Sequence, residues 1–185
     1  LSEKLELLIV DEAFCDTEPN LSIIPYLANQ RILVLRSLGK FFGLAGLRLG
    51  FAIGMPEITQ HLAIRLGPWS VSGPAAEIGT RALADTLWIY RMERILNSQS
   101  SRLNSILRRQ NFSIVGGTSL FTLIQTNHAY RIYNALAKQG ILVRRFENYE
   151  TWLRIGLPGP ENEWEKLECT LNSILNTINN MRKRT

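Results

Sequence analysis

The chain has 185 residues, 45% apolar and 20% charged, which is ordinary for a globular protein of one or two domains with a real core. The net charge of +5 is carried by scattered arginines, with one dense cluster at Arg182-Lys183-Arg184, so no nucleic-acid partner is expected. The two cysteines, Cys15 and Cys169, make no disulfide framework and no apolar run reaches a membrane span; a cytoplasmic location without a membrane partner is expected.

The chain opens at Leu1 without an initiator methionine and enters an apolar run almost at once, so it is expected to be the C-terminal part of a longer protein. Leu5 to Val10 predicts a strand, broken only by Glu6, and it ends in Asp11-Glu12-Ala13-Phe14. Polar residues just beyond the carboxyl ends of α/β strands line ligand crevices, and Asp11 holds such a place. Pro19 to Asn29 reads as loop and short helix, and Ile32 to Arg36 as the next strand. Ser37, Lys40 and Arg48 follow within a segment rich in glycine and apolar residues. A lysine in apolar surroundings loses solvation for its charged form, which favours a neutral, nucleophilic amine. A hydroxyl and a guanidinium nearby suit a phosphate, and an amine beside a phosphate site suggests a Schiff base with pyridoxal phosphate (PLP).

Leu49 to Ile53 predicts a short strand, and Pro56 opens a helix to about Leu66. Gly67 to Pro74 is a breaker-rich loop with Trp69 as a packing anchor. Ala75 to Ala84 and Leu87 to Gln110 read as helices, the second long enough to link two domains. Phe112 to Val115 and Leu120 to Gln125 read as strands about a turn at Gly116-Gly117. Then come a helix over Ala129 to Lys138 stopped by Gly140, strands over Ile141 to Arg145 and Thr151 to Gly156, and a helix from Pro160 to about Met181. Arg154 stands alone in an apolar strand; a guanidinium is costly to bury without an anion, so it faces solvent or awaits one. His61 and His128 have no metal-ligand pattern, and no metal is expected.

The stretch from Ser37 to Gly50 resembles the cofactor-lysine segment of the fold-type I PLP enzymes, the aspartate aminotransferase superfamily: Ser-x-x-Lys, a glycine-rich segment, and arginine eight residues after the lysine. The wording GKFFGLAGLRLGF is similar to the branch of histidinol-phosphate aminotransferases and threonine-phosphate decarboxylases, and LGPWSVSGPA to its decarboxylase side. The resemblance implies an α/β fold. Residues 1–100 would be the C-terminal part of the PLP-binding large domain, a mainly parallel sheet with helices, and residues 101–185 a small α+β C-terminal domain.

PLP is the implied cofactor, held covalently by Lys40, with Ser37 and Arg48 on its phosphate, Asp11 on its pyridine nitrogen and Ala13 near its ring. Lys40 and Asp11 are the implied catalytic residues; Arg154 would bind the substrate α-carboxylate and Arg144 a substrate phosphate. Phe14 departs from the tyrosine many family members carry and removes a hydroxyl contact to the cofactor. The implied function is decarboxylation of L-threonine O-3-phosphate to (R)-1-amino-2-propanol phosphate in cobalamin biosynthesis, in a homodimer acting on a small phosphorylated amino acid. The alternatives are histidinol-phosphate transamination and a non-catalytic fragment.

Overall fold

A computed structural model describes residues 6–28 and 30–182, with side chains to Ile178. The expected strand start at Leu5, the loop end at Asn29, the packing of Met181 and the terminal basic cluster lie outside the described residues or side chains. The chain divides into two compact units, Leu1–Arg91 and Met92–Thr185. That division and the expected boundary at 100/101 both fall within one long helix.

In the first unit, β1 (Leu8–Asp11) pairs in parallel with β2 (Ile32–Ser37), in the register Leu8↔Ile32 to Asp11↔Leu35. Strand β3 (Gly50–Gly54) pairs antiparallel with β2, from Leu33↔Gly54 to Ser37↔Gly50. Among the described strands of this unit there is thus one pairing of each sense. Leu33 and Val34, consecutive and therefore on opposite faces, are both buried at the centre of β2, so the sheet is covered on both sides there. Helix α1 (Pro56–Leu66) begins on a proline, which is pre-set for the first helical turn, and ends at Gly67 with φ 71°. Helix α2 (Gly73–Ala84) is capped by the Ser72 hydroxyl, which accepts from the Ala75 amide at 3.3 Å. Trp69 is not the packing anchor expected: it is 95% exposed in this chain and holds a left-handed φ of 64°.

Helix α3 (Thr86–Arg109) is capped by Asp85, whose carboxylate accepts from the Trp88 amide at 2.9 Å. The second unit carries a sheet in the order β4-β5-β7-β6, formed by β4 (Ser113–Thr118), β5 (Phe121–Gln125), β6 (Arg144–Phe146) and β7 (Tyr149–Gly156), all antiparallel neighbours. Gly116-Gly117 does not form the hairpin turn. It lies inside β4 beside a bulge, and the turn falls at Ser119-Leu120, where the Leu120 amide donates to the Thr118 hydroxyl at 3.1 Å. The reason is close approach: a Cβ on Gly117 would collide with the Phe121 carbonyl. Strand β6 is also shorter than Ile141 to Arg145, starting only at Arg144. Helices α4 (Ala129–Lys138) and α5 (Glu161–Arg182) bury Ile132, Leu136, Trp164, Leu167 and Leu171 with Leu103 and Leu107 of α3 and with Leu153 and Ile155 of β7.

Leu153 is fully buried in this core. Leu153→Ala is expected to cost about 2–5 kcal/mol from lost transfer energy plus the cavity left behind. The urea midpoint should fall with an unchanged m-value, and an unchanged midpoint would contradict this packing.

Candidate active site

The parallel pairing of β1 with β2 brings the carboxyl ends of both strands together, where α/β sheets bind ligands. Residues paired across strands share a face, and alternation by two puts Asp11, Leu35 and Ser37 on the same one. Asp11 is exposed, and its Oδ1 accepts from the Ala13 amide at 2.9 Å. The Ser37 Oγ accepts from the Gly39 amide at 3.0 Å, which leaves the hydroxyl hydrogen available for an anion. Because Ser37 pairs with Gly50, the intervening loop returns Arg48 to the end of β2. Arg48 is exposed, follows a 3₁₀ turn at Ala45–Leu47, and has left-handed φ 53° and ψ 39°.

Lys40 is exposed, not enclosed by the apolar residues around it in sequence. Those neighbours are what the fold buries. Leu38, Phe41 and Phe42 are in the core; Phe42 stacks on Trp88 at 5.7 Å between centroids, and Phe41 meets both rings edge-on. Gly79 of α2 faces Leu38 and Leu49, and a Cβ there would force the Leu49 side chain to shift. With its flanks held, the Lys40 ammonium is left at the surface, its Nζ 5.4 Å from the centroid of the Phe14 ring. Among the described residues neither Lys40 nor Arg48 has a carboxylate partner.

Sequence reasoning missed the residues on the opposite face. Glu12, only 5% exposed, accepts from the Ser22 hydroxyl at 2.8 Å, the Ile23 amide at 2.7 Å and Arg36 Nη1 at 3.0 Å. Arg36 Nη2 donates to Asp16 Oδ1 at 2.5 Å. Burial pushes the Glu12 carboxyl up, but the Ile23 amide, the Ser22 hydroxyl and Arg36 together hold it below its ordinary range. For Asp16 burial wins over the attraction of Arg36, and its carboxyl is raised. Burial also works against the Arg36 charge, and its two carboxylate partners more than offset it. The available signal was a lone charge, Arg36, inside the apolar run of β2.

In the second unit Arg144 pairs directly with Arg154, so both leave the same face of the sheet. Arg154 is half-buried with its guanidinium 4.8 Å from the Phe121 ring centroid, and Arg144 is exposed, 5.9 Å from that of Phe146. Among the described residues neither has a carboxylate partner, and like charges opposite one another on a sheet are unfavourable until an anion joins them. Arg144 also lines an open cleft of about 900 Å³ with Arg145, Tyr130, Tyr133, Phe146 and Tyr149.

The family model described as aminotransferase class I and II matches residues 2–168. A threonine-phosphate decarboxylase of Pseudomonas aeruginosa is 42% identical over 164 residues, covering 89% of this chain and 49% of that relative. A histidinol-phosphate aminotransferase of Blochmanniella pennsylvanica is 32% identical over 147 residues, covering 77% and 41%. The chain spans about half the length of the curated relatives it matches. The crystal structure of a histidinol-phosphate aminotransferase from Sinorhizobium meliloti, in complex with pyridoxal-5'-phosphate, superposes with a TM-score of 0.83 at 22% identity, over 93% of this chain and 49% of that one, a likeness of fold.

The buried carboxylate gives a pH test. Folded Glu12 titrates below the ordinary value of 4.5, so its stabilisation is present above that pH and is lost as pH falls through the folded value. Asp16, raised from 3.8, takes up its proton in the folded state first and offsets part of that loss. Glu12→Gln is expected to lower stability at neutral pH by about 1.5–3 kcal/mol, the range for a hydrogen bond to a charged group. It should also flatten the fall in stability below pH 4.5. Urea unfolding across a pH series measures both, and a slope equal to that of the unsubstituted protein would contradict the assignment.

Proposed function

The chain belongs to the aminotransferase class I and II family, and from that we propose that it forms the cofactor-lysine part of a PLP-dependent enzyme that decarboxylates L-threonine O-3-phosphate. One observation carries the cofactor reading. Asp11, distant in sequence, comes to the end of the β1–β2 pair where the segment carrying Ser37, Lys40 and Arg48 begins, with Lys40 exposed and neither Lys40 nor Arg48 having a carboxylate partner among the described residues. This donor set fits PLP. The Ser37 hydroxyl and the Arg48 fork suit its phosphate, the Asp11 carboxylate its pyridine nitrogen, the Lys40 amine its aldehyde, and Ala13 leaves room for a flat ring. When bound, PLP supplies an electron sink for a pair left on the substrate Cα.

The residues of this chain then have distinct tasks. Arg154 holds the substrate carboxylate in a planar fork until its bond to Cα breaks and CO2 leaves, and Arg144 binds the substrate phosphate. Lys40 returns a proton to Cα in place of the carboxylate, giving (R)-1-amino-2-propanol phosphate. Two features support decarboxylation over transamination: Phe14 presents a ring without a hydroxyl to Lys40, and the decarboxylase relative is 42% identical. The 32% identity to a histidinol-phosphate aminotransferase supports transamination as the second reading. A homodimer in the cytoplasm goes with the proposal on the family resemblance.

In the complete protein, L-threonine phosphate should give CO2 and aminopropanol phosphate without a keto-acid acceptor. Turnover of histidinol phosphate only with 2-oxoglutarate, forming glutamate and no CO2, would instead establish the aminotransferase. Borohydride should fix the cofactor on Lys40, and a label mapped to another lysine would overturn the site. Arg154→Ala should cost at least about tenfold in kcat/KM, from a charge-assisted bond of roughly 1.5–3 kcal/mol. Arg154→Lys should not restore it, because an ammonium lacks the fork.

A further inference from the structure

We propose that Arg36 is a positioning residue for the cofactor site: by bridging Glu12 and Asp16 it locks the end of β1 to the end of β2 and so aims the Asp11 carboxylate. The proposal rests on the cofactor reading above. Arg36 immediately precedes Ser37, and Glu12 immediately follows Asp11. Alternation places Asp11 and Ser37 on one face of the sheet, and Arg36 on the other, where it meets Glu12. The bridge therefore closes behind the candidate residues without touching a ligand. Both terminal nitrogens of Arg36 are committed, Nη1 to Glu12 at 3.0 Å and Nη2 to Asp16 at 2.5 Å, so the guanidinium acts through the carboxylates it holds.

The same bridge fixes the segment between its two acids. Residues Glu12 to Asp16 include Ala13, whose amide orients Asp11, and Phe14, whose ring lies beside Lys40. The turn is further tied by the Cys15 amide donating to the Glu12 carbonyl at 3.0 Å, and the Glu12 amide extends the ladder to the Leu35 carbonyl at 2.8 Å. Glu12 also holds the Ser22–Ile23 loop, and Arg36 joins this turn to β2 through side chains. Freeing it loosens Asp11 relative to Ser37 and leaves the buried Glu12 charge without its cation.

A displaced Asp11 carboxylate no longer favours the proton on the pyridine nitrogen, and the ring then withdraws fewer electrons from the nitrogen linking cofactor to Lys40. That nitrogen holds its proton to higher pH. In the complete protein loaded with PLP, the pH midpoint of the cofactor's visible absorbance should rise in Arg36→Met by about half a unit or more, roughly threefold in the proton-binding constant. Arg36→Lys should give a smaller rise, since one ammonium does not reproduce the planar bridge. Should Arg36→Met not be recovered folded, Asp16→Asn, which keeps the Glu12 contact, carries the same readout in the same direction. A purely structural Arg36 would lower the urea midpoint and leave the absorbance midpoint unmoved; that result in the folded variants, with Lys40 still labelled by borohydride, overturns the proposal alone. No label on Lys40 in the unsubstituted protein overturns the cofactor reading and this role with it.

Discussion

Strand β2 is hydrogen-bonded on both edges, and the candidate site of the first unit depends on that constraint. Its register pairs Asp11 with Leu35 on one side and Gly50 with Ser37 on the other. Side chains alternate with a period of two, so this choice decides which residues face which way. A slip of β2 by one residue would bring Arg36 to the face of Asp11 and turn Ser37 to the other. The register of the strand thus places polar groups at its end, and the Glu12–Arg36 bridge holds the same register where the apolar residues end.

The loop after β2 solves a different problem: it must present a lysine to solvent from a sequence rich in apolar residues. It does so by burying the residues on either side. Phe41 and Phe42 pack with Trp88 in a cluster whose offset and edge-on geometries are favourable beyond area burial. Gly79 permits α2 to approach Leu38 and Leu49. The return of the loop is less relaxed. Arg48 holds a left-handed backbone conformation, which costs a non-glycine residue about 1–2 kcal/mol. Its side chain gains only a long contact, 3.4 Å, to the Ala45 carbonyl. Strain of this kind persists where surrounding structure over-determines it, and here it falls on the residue proposed to hold a phosphate.

Signals that lie within a single element of the sequence carry directly into the fold. Helix α1 has the bounds that Pro56 and Leu66 suggested, and α4 runs from Ala129 to Lys138 as the stop at Gly140 implied. The spacing of Ser37, Lys40 and Arg48 was also visible, because it lies within one continuous segment. What was not legible depends on partners distant in sequence. Gly116-Gly117 looked like a turn, yet its role follows from the Phe121 carbonyl against which it packs. Lys40 looked enclosed, because sequence neighbours do not reveal which of them the core takes. The bridge from Arg36 to Glu12 and Asp16 spans 24 and 20 residues and depends on a parallel pairing that no local pattern specifies. Trp69 shows the same limit in reverse, since a large aromatic residue in a loop is not thereby buried.

The paired arginines of the second unit bear on the kind of molecule the proposed enzyme would take. Two cations facing each other across adjacent strands repel, by about 1 kcal/mol at 4 Å in a water-like dielectric and by more as the site is closed off. The fold tolerates this while the face is open. A single carboxylate would satisfy one fork and leave the other charge unanswered. A molecule with a carboxylate and a phosphate monoester brings an anion for each, and converts the repulsion into two charge-assisted contacts. The Arg154 guanidinium lies 4.8 Å from the Phe121 ring centroid and that of Arg144 5.9 Å from the Phe146 centroid, contacts that favour each cation beside its ring. On the proposed reading this favours a phosphorylated amino acid, which carries both groups, over an amino alcohol phosphate, which leaves Arg154 without its anion. Selectivity would then come from the penalty of an unpaired, half-buried guanidinium as much as from the contacts made.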